Sequence, residues 1–204
     1  MTVNQQILEC ARSLFDVVGA NQLSNTNSLL ILGLESTSER DLDEFRYSRG
    51  KVQIHGFRKH VKPRLESLIE FIHNHGFTAE PMWRYSYLLE GEINLKEPVI
   101  SAGIGKRGKN TLVLHPKYGT RLRFAALKTN VPVGQPLDST LFEEENPICK
   151  GCSICIDACP VHVLGPYRMI NPSICLSSTD IMDIKADRIN TCDICLHRCP
   201  VNKY

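Results

Sequence analysis

The sequence predicts an α/β domain over residues 1–145, followed by a small α+β domain over residues 146–204. Eight of the nine cysteines lie within residues 149–199, and only Cys10 lies outside them. Apolar residues recur at helical and strand spacing through the first two thirds of the chain. Between the two parts, residues 131–147 hold three prolines and the acidic run 143–145, a composition typical of a linker.

Helices and strands alternate in the predicted first domain. Ile7, Ala11 and Leu14 lie at helical spacing and predict a helix that ends at Gly19, and the apolar run 28–34 predicts a buried strand. Residues 40–51 are polar and predict a loop. A longer helix is expected over residues 57–75, with Pro63 at its start or at a kink and Gly76 at its C-cap. A short helix over 95–102 and strands over 111–115 and 122–126 complete the domain.

Composition describes an ordinary globular chain, with 42% hydrophobic and 23% charged residues. No apolar run approaches the ~20 residues that cross a bilayer, so we expect no membrane association. The first residues lack the basic start and apolar core of a secretory signal, which favours a cytoplasmic protein.

Charge is distributed unevenly along the chain. Residues 1–137 carry 18 Lys and Arg against 13 Asp and Glu, whereas residues 138–204 carry 6 against 9. Two stretches, 46–64 and 106–128, each hold seven basic residues and no acidic one. Such stretches can bind a phosphate-bearing ligand or nucleic acid, or form a solvated basic face.

Cysteine spacing indicates iron–sulfur chemistry. Cys149, Cys152, Cys155 and Cys159, the last followed by a proline, match the C-x2-C-x2-C-x3-C-P run of bacterial two-cluster ferredoxins. Three thiolates on a tight loop can reach three irons of one cubane, and the fourth opens a helix that faces the other cluster. A partial repeat follows at residues 192–200, and its leading cysteine lies far upstream.

If the last cysteine of each run binds the cluster of the other run, an arrangement called crosswise here, the eight cysteines complete two [4Fe–4S] clusters. The first quartet comprises Cys149, Cys152, Cys155 and Cys199, and the second quartet comprises Cys159, Cys175, Cys192 and Cys195. Two alternatives are a pair of Zn(Cys)4 sites, which the Cys-Pro runs disfavour, and a disulfide-linked tail. Because the tail has few large apolar side chains, we expect cluster binding to supply part of its folding energy.

A glycine-rich segment, residues 102–111, contains G-x-G-x-x-G at Gly103, Gly105 and Gly108. The dinucleotide-binding version of this pattern follows a strand and opens a helix, whereas here it follows a helix and opens a strand. The spacing to Lys109 also differs from that of a P-loop. A tight helix-to-strand connection with lysines facing solvent is the simple alternative to a binding site.

The glycine-rich segment, the turn at residues 115–119 and the tail with its displaced Cys175 together resemble the epoxyqueuosine reductases, and Tyr47-Ser-Arg-Gly50 adds to the likeness. These enzymes and the reductive dehalogenases share a nitroreductase-like cobalamin-binding domain followed by a two-cluster ferredoxin domain. The resemblance implies a reduced nitroreductase-like domain, a ferredoxin-like tail and the same cysteine partition. It also implies a cobalamin or similar corrinoid, held by Gly103, Gly105, Lys106, Gly108, Lys109 and Asn110.

The chain departs from the family pattern where catalysis is expected. The family's catalytic aspartate precedes the glycine-rich segment, but residues 84–101 contain only Glu90, Glu92 and Glu97 as acids. Lys106 stands where a tryptophan is common. The sequence therefore assigns no catalytic residue.

Three functions follow as hypotheses. The first is a reductase that passes electrons through two clusters to a bound cobalamin or a separate corrinoid protein, with ferredoxin or flavodoxin as donor. The second is a ferredoxin-type electron-transfer module that serves a partner reductase. The third is a tRNA epoxyqueuosine reductase, with residues 46–64 as its nucleic-acid footprint.

Overall fold

The chain has a mixed α/β fold, seen in a computed structural model that describes residues 1–48, 51–82, 94–177, 188–189 and 192–202. Its helices are α1 (Val3–Leu14), α2 (His55–His60), α3 (Lys62–Asn74), α4 (Lys96–Ser101), α5 (Thr140–Glu143), α6 (Ile154–Asp157), α7 (Pro172–Ser177) and α8 (Ile194–His197). Its strands are β1 (Val17–Gln22), β2 (Ser28–Glu35), β3 (Phe45–Ser48), β4 (Lys51–Ile54), β5 (Ala79–Pro81), β6 (Lys106–Arg107), β7 (Val113–Leu114), β8 (Leu122–Thr129), β9 (Gln135–Pro136), β10 (Leu164–Gly165), β11 (Arg168–Met169) and β12 (Arg188–Ile189).

A five-stranded sheet in the order β5-β8-β2-β1-β9 forms the centre of the molecule. Strand β2 lies in its middle, and one face of β2 packs against α1 and α3 while the other packs against α4. Because both faces are covered, seven consecutive β2 residues are buried, which explains the continuous apolar run in the sequence. The predicted strand over 28–34 is confirmed.

The first helix is shorter than its apolar spacing predicts. A capping box between Thr2 and Gln5 begins α1, and the chain is already extended at Phe15. Val18 and Gly19, predicted at the helix end, lie in β1 and pair with Leu32 and Ile31 of β2. The helical prediction was wrong here because two successive β-branched valines favour a strand once a neighbouring strand is present.

The predicted long helix is confirmed as two consecutive helices. Helix α2 ends before Val61, and α3 begins with Pro63 in its first turn. Gly76 follows α3 with a φ of 82°, the left-handed conformation of a C-cap glycine. Residues 40–51, predicted as a loop, instead contribute β3, which pairs with β4 and β12. These short polar strands offer too little apolar alternation for the sequence to reveal them.

The predicted linker is packed against the first part of the chain. Val131 is fully buried, β9 pairs in parallel with β1, and α5 packs against α4. The linker prediction for residues 131–147 was therefore wrong, since long-range pairing orders a segment whose composition is typical of loops. The domain division at residue 145 stays a prediction.

Within the described part of the tail (residues 146–177, 188–189 and 192–202), a small apolar core is formed by Cys159, Val163 and Leu164 with a few half-buried neighbours. Among the described residues of the tail, the regular structure comprises the hairpin β10–β11, the short helices α6, α7 and α8, and strand β12, which pairs with β3. The expectation that metal binding contributes folding energy to the tail stays a prediction. Across the described parts of the chain, no helix combines the length and apolarity that crossing a bilayer requires.

Candidate metal centre

The two cysteine repeats fold into the same local structure. After each Cys-x2-Cys start, a one-turn helix forms, α6 in the first repeat and α8 in the second. Equivalent backbone hydrogen bonds then close both repeats, from Cys159 to Ile156 and from Cys199 to Leu196. The internal repeat seen in the sequence is thus a repeat of structure, and it places the last cysteine of each run at the end of its helix.

The first quartet is brought together around α6. Burial raises the pKa of the Cys155 thiol, and repulsion from Cys199, Cys149 and Cys152 raises it further. Burial likewise raises the pKa of Cys199, with Cys149 and Cys152 adding to the effect. Thiols crowded in this way lose their protons readily only beside a positive partner, and the cysteine spacing predicts that this partner is iron.

The second quartet is brought together around α8. Burial raises the pKa of Cys195 to about 12, and Cys175, Cys192, Cys155 and Cys159 reinforce the shift. Cys175 lies on α7, so the cysteine that is distant in sequence is close in space. Burial raises its pKa first, and then Cys192 and Cys159 raise it further.

The two groups of thiolates are neighbours, because α6 packs against α8 and Cys155 acts electrostatically on Cys195. The grouping coincides with the crosswise partition, and the ligand assignment itself stays a prediction. Within the described residues, no three His, Cys, Asp or Glu side chains are placed to hold a single metal ion. In a cubane each thiolate binds a different iron, so its ligands stand farther apart than those of one zinc ion.

Two buried donors near the thiolates lack a partner among the described protein atoms: Nδ2 of Asn146 and Nε of Arg107. Asn146 precedes the first quartet and uses its Oδ1 to accept from the N–H of Ile148, which leaves the amide nitrogen free to donate. Arg107 stacks over the rings of Phe142 and Tyr167. Buried donors of this kind suit an anionic group such as an iron–sulfur cluster with its thiolates.

The glycines of the glycine-rich segment have structural roles. Gly103 follows α4 with a φ of 73°, which favours glycine. A Cβ on Gly105 would lie 2.6 Å from the carbonyl oxygen of Leu114, so this position admits only glycine where β6 pairs with β7. Gly108 is buried beside Asn110. The structure thus gives the G-x-G-x-x-G pattern a reason in packing, and a role in cofactor binding stays a prediction.

Polar side chains of the same segment face the tail. Lys109 donates from Nζ to the carbonyl oxygen of Cys152 over 2.9 Å, and Asn110 donates from Nδ2 to that of Cys195 over 3.2 Å. Lys106 instead pairs with Glu144 over 2.9 Å. Lys109 therefore binds the first cysteine loop and Asn110 the second, although the sequence predicted that Lys106, Lys109 and Asn110 all hold a cofactor.

A second contact holds the end of the tail. Gly119 packs directly against the carbonyl group of Val201, and Arg121 donates to Oδ1 of Asn202 over 3.3 Å while it pairs with Glu35. Sequence reasoning missed Arg121, Asn202 and Asn146 as residues that contact the tail or precede the first quartet. Arg121 and Asn202 carry no local pattern, because each acquires its role from a partner 81 residues away in the sequence, whereas Asn146 lies directly before the first quartet and caps its turn.

The basic stretch at residues 106–128 is largely neutralised within the fold. Its ion pairs are Lys106 with Glu144, Arg107 with Glu143, Arg121 with Glu35, and Arg123 with Asp43. The acidic run of the predicted linker supplies two of these carboxylates. Four of the seven basic residues in this stretch are thus paired within the fold, whereas Lys117 and Lys128 are exposed.

Comparison with known proteins gives one consistent group of relatives. No protein-family model matches the chain. Epoxyqueuosine reductase of Listeria monocytogenes is 35% identical over 125 residues, covering 55% of this chain and 31% of the relative. That of Bacillus subtilis is 32% identical over 155 residues, covering 70% and 37%. The matched stretch thus spans about a third of the length of these curated relatives.

Solved structures show the same fold. The chain superposes on Bacillus subtilis epoxyqueuosine reductase with a TM-score of 0.70 at 19% identity, covering 99% of this chain and 66% of that one. For an epoxyqueuosine reductase in complex with a modified tRNA stem loop, the TM-score is 0.68 at 19% identity, with 98% and 66% covered. For a catabolic reductive dehalogenase in complex with 3-bromo-4-hydroxybenzoic acid, it is 0.69 at 14% identity, with 97% and 31% covered. The mixed α/β prediction is confirmed: the chain is similar in sequence to epoxyqueuosine reductases, and it shares its fold with them and with a reductive dehalogenase.

Proposed function

We propose that this chain is an iron–sulfur reductase that passes single electrons through two [4Fe–4S] clusters to a corrinoid, either bound to it or carried by a partner. The observation that carries the proposal is the arrangement of eight cysteines as two adjacent groups of four, gathered around α6 and α8. Bound clusters would supply one-electron transfer, and a corrinoid would supply the reaction at the substrate.

The chain's own residues would hold and shield the clusters. Cys149, Cys155 and Cys159 are buried, so their thiolates lie away from bulk water. Asn146 and Arg107 contribute buried donors, which stabilise negative charge in a low-dielectric site. Lys109 and Asn110 belong to the part of the chain built on the five-stranded sheet, here called the sheet domain, and each binds one cysteine loop of the tail.

Support for the corrinoid comes from the relatives. One reductive dehalogenase structure of this fold, at a TM-score of 0.66, is described together with a mechanism for B12-dependent dehalogenation. We infer that a corrinoid would approach the sheet domain beside the tail, where the glycine-rich segment lies. Reduction there would use ferredoxin or flavodoxin as the electron donor.

A ferredoxin-type electron-transfer module is the second candidate. The contacts of Lys109 and Asn110 favour it, because two of the three side chains predicted to hold a corrinoid already bind the tail. In this case the chain would pass electrons to a partner reductase and bind no corrinoid itself. A tRNA epoxyqueuosine reductase is a further outcome to test, because one structural relative binds a tRNA stem loop.

Anaerobic purification with iron, sulfide and cobalamin analysis tests these functions together. Two clusters per chain with stoichiometric cobalamin binding support the first candidate. Two clusters without cobalamin binding, reduced by ferredoxin or flavodoxin, support the second. A salt-sensitive mobility shift of the cognate tRNA, with turnover of epoxyqueuosine, supports the third. Colourless protein that holds zinc would contradict all three.

Paired cysteine variants test the ligand partition. Cys155→Ala and Cys199→Ala should lose the same cluster, and Cys175→Ala and Cys195→Ala should lose the other, as judged by electron paramagnetic resonance of the reduced protein. Cys10→Ala is the matched control, because Cys10 packs against the sheet domain far from the tail. Retention of both clusters in any of the four variants would show that the partition is wrong.

A further inference from the structure

Each predicted cluster has a lysine of the sheet domain beside it. Lys109 binds the loop of the first quartet, where its Nζ lies 2.9 Å from the carbonyl oxygen of Cys152. The carbonyl group that accepts this bond belongs to Cys152, a predicted ligand of the first cluster. The ammonium group of Lys109 therefore lies next to the loop that would hold this cluster. Lys109 is half-buried, which limits the screening of its charge by water.

Lys96 of α4 lies beside the second quartet. Its Nζ donates to Oγ1 of Thr111 over 3.4 Å, and the preceding residue, Asn110, holds the carbonyl oxygen of Cys195. Burial lowers the pKa of Lys96, as does Arg107, whereas the thiolates of Cys175 and Cys195 raise it. Through the contacts of the neighbouring residues Thr111 and Asn110, Lys96 therefore lies beside the loop that carries Cys195.

We propose that Lys109 sets the reduction potential of the first cluster and Lys96 that of the second, each acting on its own cluster as a fixed positive charge. This inference rests on the proposed two-cluster function. Reduction adds one negative charge to a cluster, and a nearby cation stabilises the reduced form. Removal of either cation should therefore lower the potential of one cluster and leave the other unchanged.

Partial burial decides how strongly each lysine acts. Coulomb interactions weaken in proportion to the effective dielectric constant, which is lower beside a packed loop than at an exposed surface. Lys106 is the contrasting case, because half of its side chain is exposed and it pairs with Glu144. Its charge is both screened and neutralised, so it should not affect either cluster.

Redox titration of the anaerobic holo chain tests the inference. The variants are Lys109→Met and Lys96→Met, with Lys106→Met as the matched control and Lys109→Arg and Lys96→Arg as charge-retaining variants. The signals of the two clusters are assigned from the cysteine variants that lose one cluster. We expect each methionine variant to shift the one-electron equilibrium of its own cluster at least tenfold toward oxidation, which corresponds to about 59 mV.

The arginine variants should retain most of the wild-type potential, which a purely structural role of the lysines would not explain. If Lys96→Met or Lys109→Met fails to assemble its cluster, glutamine replaces methionine at that position in the same comparison. Unchanged potentials in the neutral variants, or equal shifts of both clusters, would overturn the inference. Failure of the proposed function is distinct, because the wild-type chain itself would then lack two reducible clusters.

Discussion

The side-chain amide of Asn110 donates to the carbonyl oxygen of Cys195 over 3.2 Å and so joins positions 85 residues apart. Its Oδ1 accepts from the N–H of Leu112, also over 3.2 Å, within the turn between β6 and β7. Asn110 is only 2% exposed. One buried side chain therefore both shapes the glycine-rich segment and anchors the second cysteine loop to the sheet domain.

Replacing this side chain should weaken the contact between the sheet domain and the tail. Asn110→Ala leaves the Cys195 carbonyl and the Leu112 N–H without their partner, and each unsatisfied buried group costs about 1–3 kcal/mol. We expect the free energy of unfolding of the anaerobic holo protein to fall by that order in urea titrations. Asn25→Ala, in an exposed loop, is the control. Equal stability of the two variants would show that the contact contributes nothing.

The sequence correctly predicted those helices, strands and caps that depend on residues close together in the chain. The buried strand over 28–34, the helix start near Pro63 and the cap at Gly76 were correct because burial on both faces, a fixed φ and a left-handed turn each select particular residue types. Val18 and Gly19 were assigned to a helix because the partner that makes them a strand, β2, cannot be read from their own spacing.

The candidate site divides in the same way. Cysteine spacing predicted the two quartets, and the structure brings the members of each near one another, while the ligand assignment itself stays a prediction. The direction of Lys109 was not predictable, because the carbonyl that it binds lies 43 residues later in the chain. The acidic run at residues 143–145 was assigned to a linker, yet Glu143 and Glu144 pair with the glycine-rich segment.

The turn at residues 115–119 supplies a second contact with the tail. Two glycines allow the cost of backbone strain to be separated from the cost of a steric clash with the tail. Gly119 and Gly76 both have positive φ, at 57° and 82°. A Cβ on Gly119 would clash with the carbonyl group of Val201, whereas a Cβ on Gly76 meets no atom within 4 Å. Gly76→Ala should therefore cost only the backbone strain, about 1 kcal/mol, and Gly119→Ala distinctly more.

Thermal unfolding of the two glycine variants measures this difference. Limited proteolysis adds a local readout, since Gly119→Ala should expose the end of the tail to cleavage while Gly76→Ala leaves it protected. Identical melting temperatures in both variants would mean that the tail does not pack against Gly119.

His115 should make stability depend on pH. Burial lowers its pKa from the ordinary 6.5, and Lys117 lowers it further. Its Nδ1 accepts from the N–H groups of Lys117 and Tyr118, over 3.1 and 3.2 Å, so the folded state favours the neutral ring. With the folded pKa below the unfolded one, its stabilisation is complete above pH 6.5 and is lost as pH falls through the folded value.

His115→Asn tests this dependence, because an asparagine Oδ1 can accept the same backbone hydrogen bonds without titrating. We expect the melting temperature of the wild type to fall relative to the variant as the pH is lowered from 7.5 to 5.5, as followed by calorimetry. His60, whose pKa is also lowered by burial, is present in both proteins and cancels from the difference. Parallel pH profiles would exclude His115 as the cause.

Asn146 should protect the first cluster through its unpaired amide nitrogen. The residue is 1% exposed, and its Oδ1 caps the turn that carries Cys149. Asn146→Asp keeps that acceptor but replaces the buried donor with a carboxylate next to an anionic site, which is unfavourable unless the charge finds a partner. We expect a chelator to remove the first cluster faster from the variant than from the wild type, and the second cluster at an unchanged rate.

Iron release followed by absorbance measures both rates, with Asn25→Asp as the control for added surface charge. A wild-type release rate in Asn146→Asp would mean that the amide donor does not face the cluster.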